Sequence, residues 1–284
     1  MTTALTLTRE NILGYARSLP AAPQVLAGLC ELLQEVNTGL EEIAEQIRKD
    51  PALAARVVRI SNSPVYGGGG RVGSVDEAVN RVGFGELLRL VGAATAAGLV
   101  DRSLTCYAIE AEALRESLLL HALASEAIAR FASVDAQTAY TAGLLRAIGM
   151  MVLDRAGRGR VVASENFNPQ QFSNYAEWEN ARFGICSMEV ATMILDEWRF
   201  SPELVAAIQE HLLTSPNSYS DRLACVLNLA GAIVAEAGRA MPGEQACWTV
   251  TPEKLQAAGL DDEQFQSASE QARKLFEHQR AALY

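Results

Sequence analysis

The sequence predicts an all-α protein, on three observations. Apolar residues recur three and four apart, as in Val25, Leu26, Leu29, Leu32, Leu33 and in Met188, Ala191, Ile194, Leu195, Trp198. No stretch alternates apolar and polar residues with the period of a strand. Helix-starting side chains punctuate the chain often enough for about a dozen short helices.

The starts follow in order. Thr38-Gly39-Leu40-Glu41 and Ser74-Val75-Asp76-Glu77 fit a capping box, in which hydroxyl and carboxylate satisfy orphan backbone donors reciprocally. Asp50-Pro51, Asn168-Pro169, Ser201-Pro202 and Thr251-Pro252 each set a capping side chain before a proline at the first helical position. Between the second and third starts lies Asn62-Ser63-Pro64-Val65-Tyr66, followed by four glycines, Arg71, Val72 and Gly73, which reads as a surface loop. A Ser/Pro/Asn-rich break at 214–220 precedes an apolar helix over 222–237 and a polar, acidic pair of helices. No internal repeat is visible.

Composition narrows the function. The chain has 284 residues, half of them hydrophobic (49%), ample for a sizeable core. A net charge of −10 with no basic run argues against nucleic acid and against an anionic membrane surface. The apolar stretch 87–100 is interrupted by Arg89 and too short to span a bilayer. The first ten residues lack a basic and apolar leader pattern, so a cytoplasmic protein is expected. The five cysteines are scattered and none forms a CxxC, which disfavours a disulfide framework or a zinc site.

Several motifs, in order and spacing, resemble the HDOD family, the bacterial HD-related output domain. They are Leu19-Pro20 with Pro23-Gln24-Val25, Asp50-Pro51-Ala52-Leu53, Arg59-Ile60-Ser61-Asn62-Ser63 and the run from Ser74 to Gly83. Later come Ala142-Gly143-Leu144-Leu145, Phe183-Gly184, Trp198 before Ser201-Pro202, and Ala207-Ile208 before His211. The resemblance covers roughly residues 15–213. It implies an N-terminal helical bundle, placed at 1–102, and a degenerate HD-like helical subdomain with a C-terminal extension, placed at 103–284. It also implies a regulatory role in bacterial signal transduction.

HD-type enzymes hold cations with a first His, a His-Asp pair and a later Asp, and the metal supplies hydroxide. Carried over by motif, the first position falls at Glu116 and the pair at Arg146-Ala147. A further histidine position falls at Ser187 and the final Asp at Gly231, while His211 alone keeps a donor. Arginine stays protonated and alanine has no donor atom, so neither ligates a cation. His121 lies five residues after Glu116, about 140° round the helix, and does not simply replace it.

The remaining candidates are weaker. Gly68-Gly69-Gly70-Arg71-Val72-Gly73 matches a dinucleotide fingerprint formally, but no strand precedes it, so it reads as a loop whose Tyr66 and Arg71 could close over a partner or ligand. Cys186 before an apolar helix reads as a buried structural cysteine rather than a nucleophile. Trp178, Trp198, Phe183, Met188 and Met150-Met151 read as core.

The expected protein is a non-catalytic signalling module with no catalytic residue, metal or cofactor. It would bind an unidentified signalling protein or a small ligand in its vestigial cleft. The alternative is a metal-dependent phosphohydrolase using rearranged ligands such as Glu116 and His211 on a cyclic dinucleotide. A direct salt bridge between Glu116 and Arg146 in place of the metal is also expected.

Overall fold

The computed structural model describes residues 5–19, 22–35, 38–64, 66, 70–100, 102–162 and 165–280. Among them every regular element is helical, and the sole extended pairing is an isolated antiparallel bridge between Leu104 and Ile109. The all-α expectation therefore holds. No described helix is long and apolar enough to cross a membrane.

Contacts divide the chain into two compact units, Met1–Leu19 with Arg102–Arg273 and Pro20–Asp101 with Lys274–Tyr284. Among the described residues, 5–19 thus go with the later body and 274–280 with the earlier one.

The smaller unit holds α2 (Ala22–Gln34), α3 (Leu40–Arg48), α4 (Pro51–Ser61), α5 (Val75–Val82) and α6 (Phe84–Leu99). Asp50 starts α4 as expected, its carboxylate accepting from the amides of Ala52 and Leu53. Ser74 starts α5 by accepting from Glu77, while the Glu77 carboxylate reaches back to the amide of Gly73 rather than Ser74. The Thr38 box does not form. Gly39 is the N-cap of α3 and offers no side chain, so the first turn relies on Glu41 and Glu42 against the helix dipole. Asn62 closes the loop after α4: its amide donates to the carbonyls of Val58 and Val72, and its oxygen accepts from Val72 N–H, all at 2.9 Å.

The larger unit begins with α1 (Arg9–Arg17), which packs on α9 (Ile148–Gly157) and α11 (Ser187–Glu197). Its centre is α7 (Ala111–Ala132), which packs on α8 (Ala136–Leu145) and α13 (Arg222–Glu236). From Leu114 to Ile128 nearly every α7 side chain is buried, as expected of a helix covered on most sides. Gly143 allows this approach: a Cβ there would lie 2.9 Å from Ala122 Cα and 3.0 Å from the His121 carbonyl. α10 (Tyr175–Phe183), α12 (Pro202–Glu210) and α14 (Pro252–Ala258) follow in this unit, and so does α15 (Asp262–Arg280) up to Arg273. Ser201 and Thr251 cap α12 and α14 as predicted. Asn168-Pro169 does not start a helix. It forms a turn in which the Asn168 side chain accepts from Gln170 N–H at 2.9 Å, the local bond by which asparagine competes with helix.

Candidate functional site

Six sequence positions mark the vestigial HD cleft, and the larger unit carries all of them. Arg146 is the C-cap of α8 and Ala147 the N-cap of α9, so the former His-Asp pair sits at a helix junction. Ser187 opens α11, His211 closes α12, Gly231 lies within α13, and Glu116 lies on α7.

Arg146 does not face Glu116. Its guanidinium donates to Glu244 at 2.8 Å, with the two side chains only 1% and 8% exposed. Its central carbon stands 5.5 Å from the ring centroid of Trp248. Glu116 pairs instead with Arg239 and borders an open pocket of about 320 Å³ with Glu110, Glu112 and Gly238. The expected Glu116–Arg146 bridge is thus replaced by two other pairs. The cause is helical phase: the face of α7 that looks toward Arg146 carries His121, roughly 140° from Glu116.

Trp248 is the organising group. Its indole stacks on His211 at 6.0 Å and 29°, and meets His121 edge-on at 5.8 Å and 67°. It also lies against Gly231, where a Cβ would come 2.6 Å from ring atom Cζ3. The position of the family's final carboxylate is therefore one where no side chain fits. Lys254 Nζ donates to the carbonyls flanking the indole, Cys247 at 3.2 Å and Thr249 at 2.7 Å. Asn228 joins the His211 carbonyl to this turn.

Both histidines are neutral. His211 Nδ1 lies 2.6 Å from the Ile208 carbonyl and His121 Nε2 lies 2.9 Å from that of Leu227. A carbonyl only accepts, so those nitrogens carry the protons, and the other ring nitrogens are lone pairs. Burial, then the Arg146 charge, pushes His211 down to about 3 and His121 well below its ordinary value. A cavity of about 10 Å³ remains among Arg146, Met150, Tyr175, Ser187, His211 and Glu244.

Ser187 is held from behind. Its amide donates to Glu179 at 2.6 Å, and Tyr107 donates its hydroxyl to the other carboxylate oxygen at 2.6 Å. Glu179 is fully buried, and burial lifts it to about 7.

These residues do not suit a divalent cation. Three of the family positions hold Arg146, Ala147 and Gly231, which give no donor, and a guanidinium and an indole take the space. Among the described residues no three His, Cys, Asp or Glu side chains converge as a cation requires.

The loop candidates lie in the smaller unit. Tyr66 is half-buried, with its phenol pushed up to about 12 by burial and then by Glu86, while Arg71 is exposed. Gly67, Gly68 and Gly69 lie outside the described residues, as does Pro20 of the first motif. Cys186 is buried and its thiol raised to about 11, which suits a structural role. Trp178, Phe183, Met150 and Met151 are core, but Trp198 and Met188 are only half-buried.

Sequence reasoning missed Trp248, Glu244, Arg239 and the Tyr107–Glu179 pair. The available signal was a large aromatic inside a short Pro/Gly-bounded segment, where an indole needs a hydrophobic seat.

The fold has solved counterparts. A provisionally assigned phosphohydrolase from Shewanella amazonensis SB2B aligns at TM-score 0.67 and 24% identity, over 96% of each chain. An HDOD domain protein of unknown function from Geobacter sulfurreducens aligns at 0.62 and 18%, over 97% of this chain and 99% of that one. A provisionally assigned signal transduction protein from Marinobacter aquaeolei VT8 aligns at 0.63 and 21%, over 93% of this chain and 58% of that one. At these identities the likeness concerns the fold. No curated protein matches significantly. The model of the HDOD domain matches residues 19–213, more than half of the chain, and the protein belongs to the HDOD family.

Proposed function

We propose that this protein is a non-catalytic HDOD signalling module of the bacterial cytoplasm, acting by binding a protein partner. One observation carries the reading. Where a metal-dependent relative needs converging donors, this chain packs an Arg146–Glu244 pair and the Trp248 indole against a bare Gly231. A buried ion pair and a large aromatic there leave no seat for a hydrolytic cation. The small cavity beside them supports a protein rather than a sizeable molecule as the recognised species.

The test is hydrolysis. Purified protein with added Mn²⁺ is expected to turn over bis-p-nitrophenyl phosphate and cyclic dinucleotides no faster than a buffer blank. Turnover that disappears in His211→Ala would overturn the reading. Changing Arg146→His with Ala147→Asp is likewise expected to restore no hydrolysis, because Ser187 and Gly231 still offer no ligand. Metal-dependent activity in that double variant would show that a cation has room.

A further inference from the structure

Everything around Trp248 is arranged for one flat ring. The Arg146 guanidinium stands 5.5 Å from its centroid, His211 stacks at 6.0 Å, and His121 closes the edge. Gly231 withholds a Cβ where the six-membered ring lies. Lys254, itself buried, holds the carbonyls on both sides of the residue. Guanidinium attraction and ring stacking are how proteins recognise planar aromatic groups that arrive as ligands.

We propose that the former HD cleft is a binding seat for a planar aromatic nitrogen heterocycle, and that Trp248 is its resident occupant. The indole fills the place of the metal, joining α7, α12 and α13 through His121, His211 and Gly231. The proposal rests on the reading of this cleft as non-catalytic and names what the cleft accepts instead. Indole itself is the probe, because the seat is already shaped to it. A cavity left by a truncated core aromatic takes up a molecule of matching form, here in place of the water that Arg146 and the two histidines would otherwise draw in.

Trp248→Ala in the full chain is expected to lower the melting temperature by many degrees. Millimolar indole is expected to recover several of them, while leaving the natural protein and Trp198→Ala unmoved. Binding only to the folded variant would shift its apparent stability by mass action. An absent shift in Trp248→Ala, or an equal shift in the natural protein, would overturn the proposal.

Should Trp248→Ala fail to accumulate, Gly231→Ala carries the test. Alanine is the better helix former, so propensity alone predicts a higher melting temperature. The seat predicts a lower one with altered near-ultraviolet circular dichroism, since the methyl group meets the ring. An unchanged or higher melting temperature would overturn the proposal. Where both variants fold, the loss from Gly231→Ala is expected to vanish in a Trp248→Ala background. An equal loss in both backgrounds would show that the ring is not what Gly231 accommodates. Phosphodiester turnover by the natural protein would sink the non-catalytic reading and leave these melting results standing, so the two failures are distinguishable.

Discussion

Arg146 and Glu244 form an ion pair at 2.8 Å between side chains that solvent hardly reaches, ninety-eight residues apart in the chain. Removing one partner strands the other charge in a poorly solvated place. Arg146→Ala is therefore expected to cost about 3–5 kcal/mol, the range for breaking a buried pair. Arg146→Met with Glu244→Gln, which removes both charges and keeps the volume, is expected to cost clearly less. Urea denaturation of the three proteins checks this, and a single variant that unfolds at the natural midpoint would refute it.

Acid stability is expected to depend on His211. Its folded value, about 3, lies below the ordinary 6.5, so the unfolded chain takes up the proton first. The stabilisation is complete above pH 6.5 and falls as the pH drops toward 3. The gap corresponds to at most roughly 5 kcal/mol. His121, lowered in the same direction, adds to the same acid limb. Stability curves at pH 7 and pH 5 are expected to lie closer together in His211→Asn, whose amide still donates to a carbonyl. Parallel losses in both proteins would be the contrary result.

Glu179 acts with the opposite sign. Its folded value is raised from 4.5 to about 7, so its contribution is complete below pH 4.5 and is lost as the pH rises through 7. That rise corresponds to roughly 3 kcal/mol. The cause is burial, only partly offset by the Tyr107 and Ser187 donors. Relative to Glu179→Gln, the natural protein is expected to lose stability between pH 5 and pH 8. The glutamine gives up one acceptor toward Ser187, so the pH slope and not the absolute stability is the readout. A constant difference across that window would argue against the assignment.

Gly143→Ala is expected to destabilise by about 1–3 kcal/mol, the range for overpacking. The helix-propensity gain of roughly 1 kcal/mol works against this loss. The added carbon meets the Ser125 hydroxyl at 2.8 Å and the α7 backbone at Ala122 Cα and the His121 carbonyl; the backbone atoms do not rotate away, so α7 and α8 must part. Thermal denaturation reads the effect, and a stabilised variant would show that the two helices have slack.

The smaller unit offers a local test. Asn62→Ala removes two hydrogen bonds that join the end of α4 to Val72, and a third back to Val58 within α4. A loss of about 1–3 kcal/mol is expected, because Val72 keeps a half-buried N–H and C=O without that partner. Amide exchange at Val72 should quicken, and unaltered protection there would contradict the role.

Local chemistry made much of this protein legible in its sequence. Three-four periodicity determines helices, and Asp50, Ser74, Ser201 and Thr251 start them where expected, because capping involves only neighbouring atoms. The family motifs and the replacement of the His-Asp pair by Arg146-Ala147 were equally readable, since they are statements about residue identity. Asn168 misled because its side chain has a local alternative that sequence does not rank, and Thr38 because α3 takes Gly39 as its N-cap. Only the tertiary structure decided who partners whom. Helical phase turns His121 rather than Glu116 toward Arg146, and a segment more than ninety residues further on delivers Glu244 and Trp248 into the cleft. Burial then fixes the protonation of His121, His211 and Glu179, an effect of surrounding packing that no residue carries within itself.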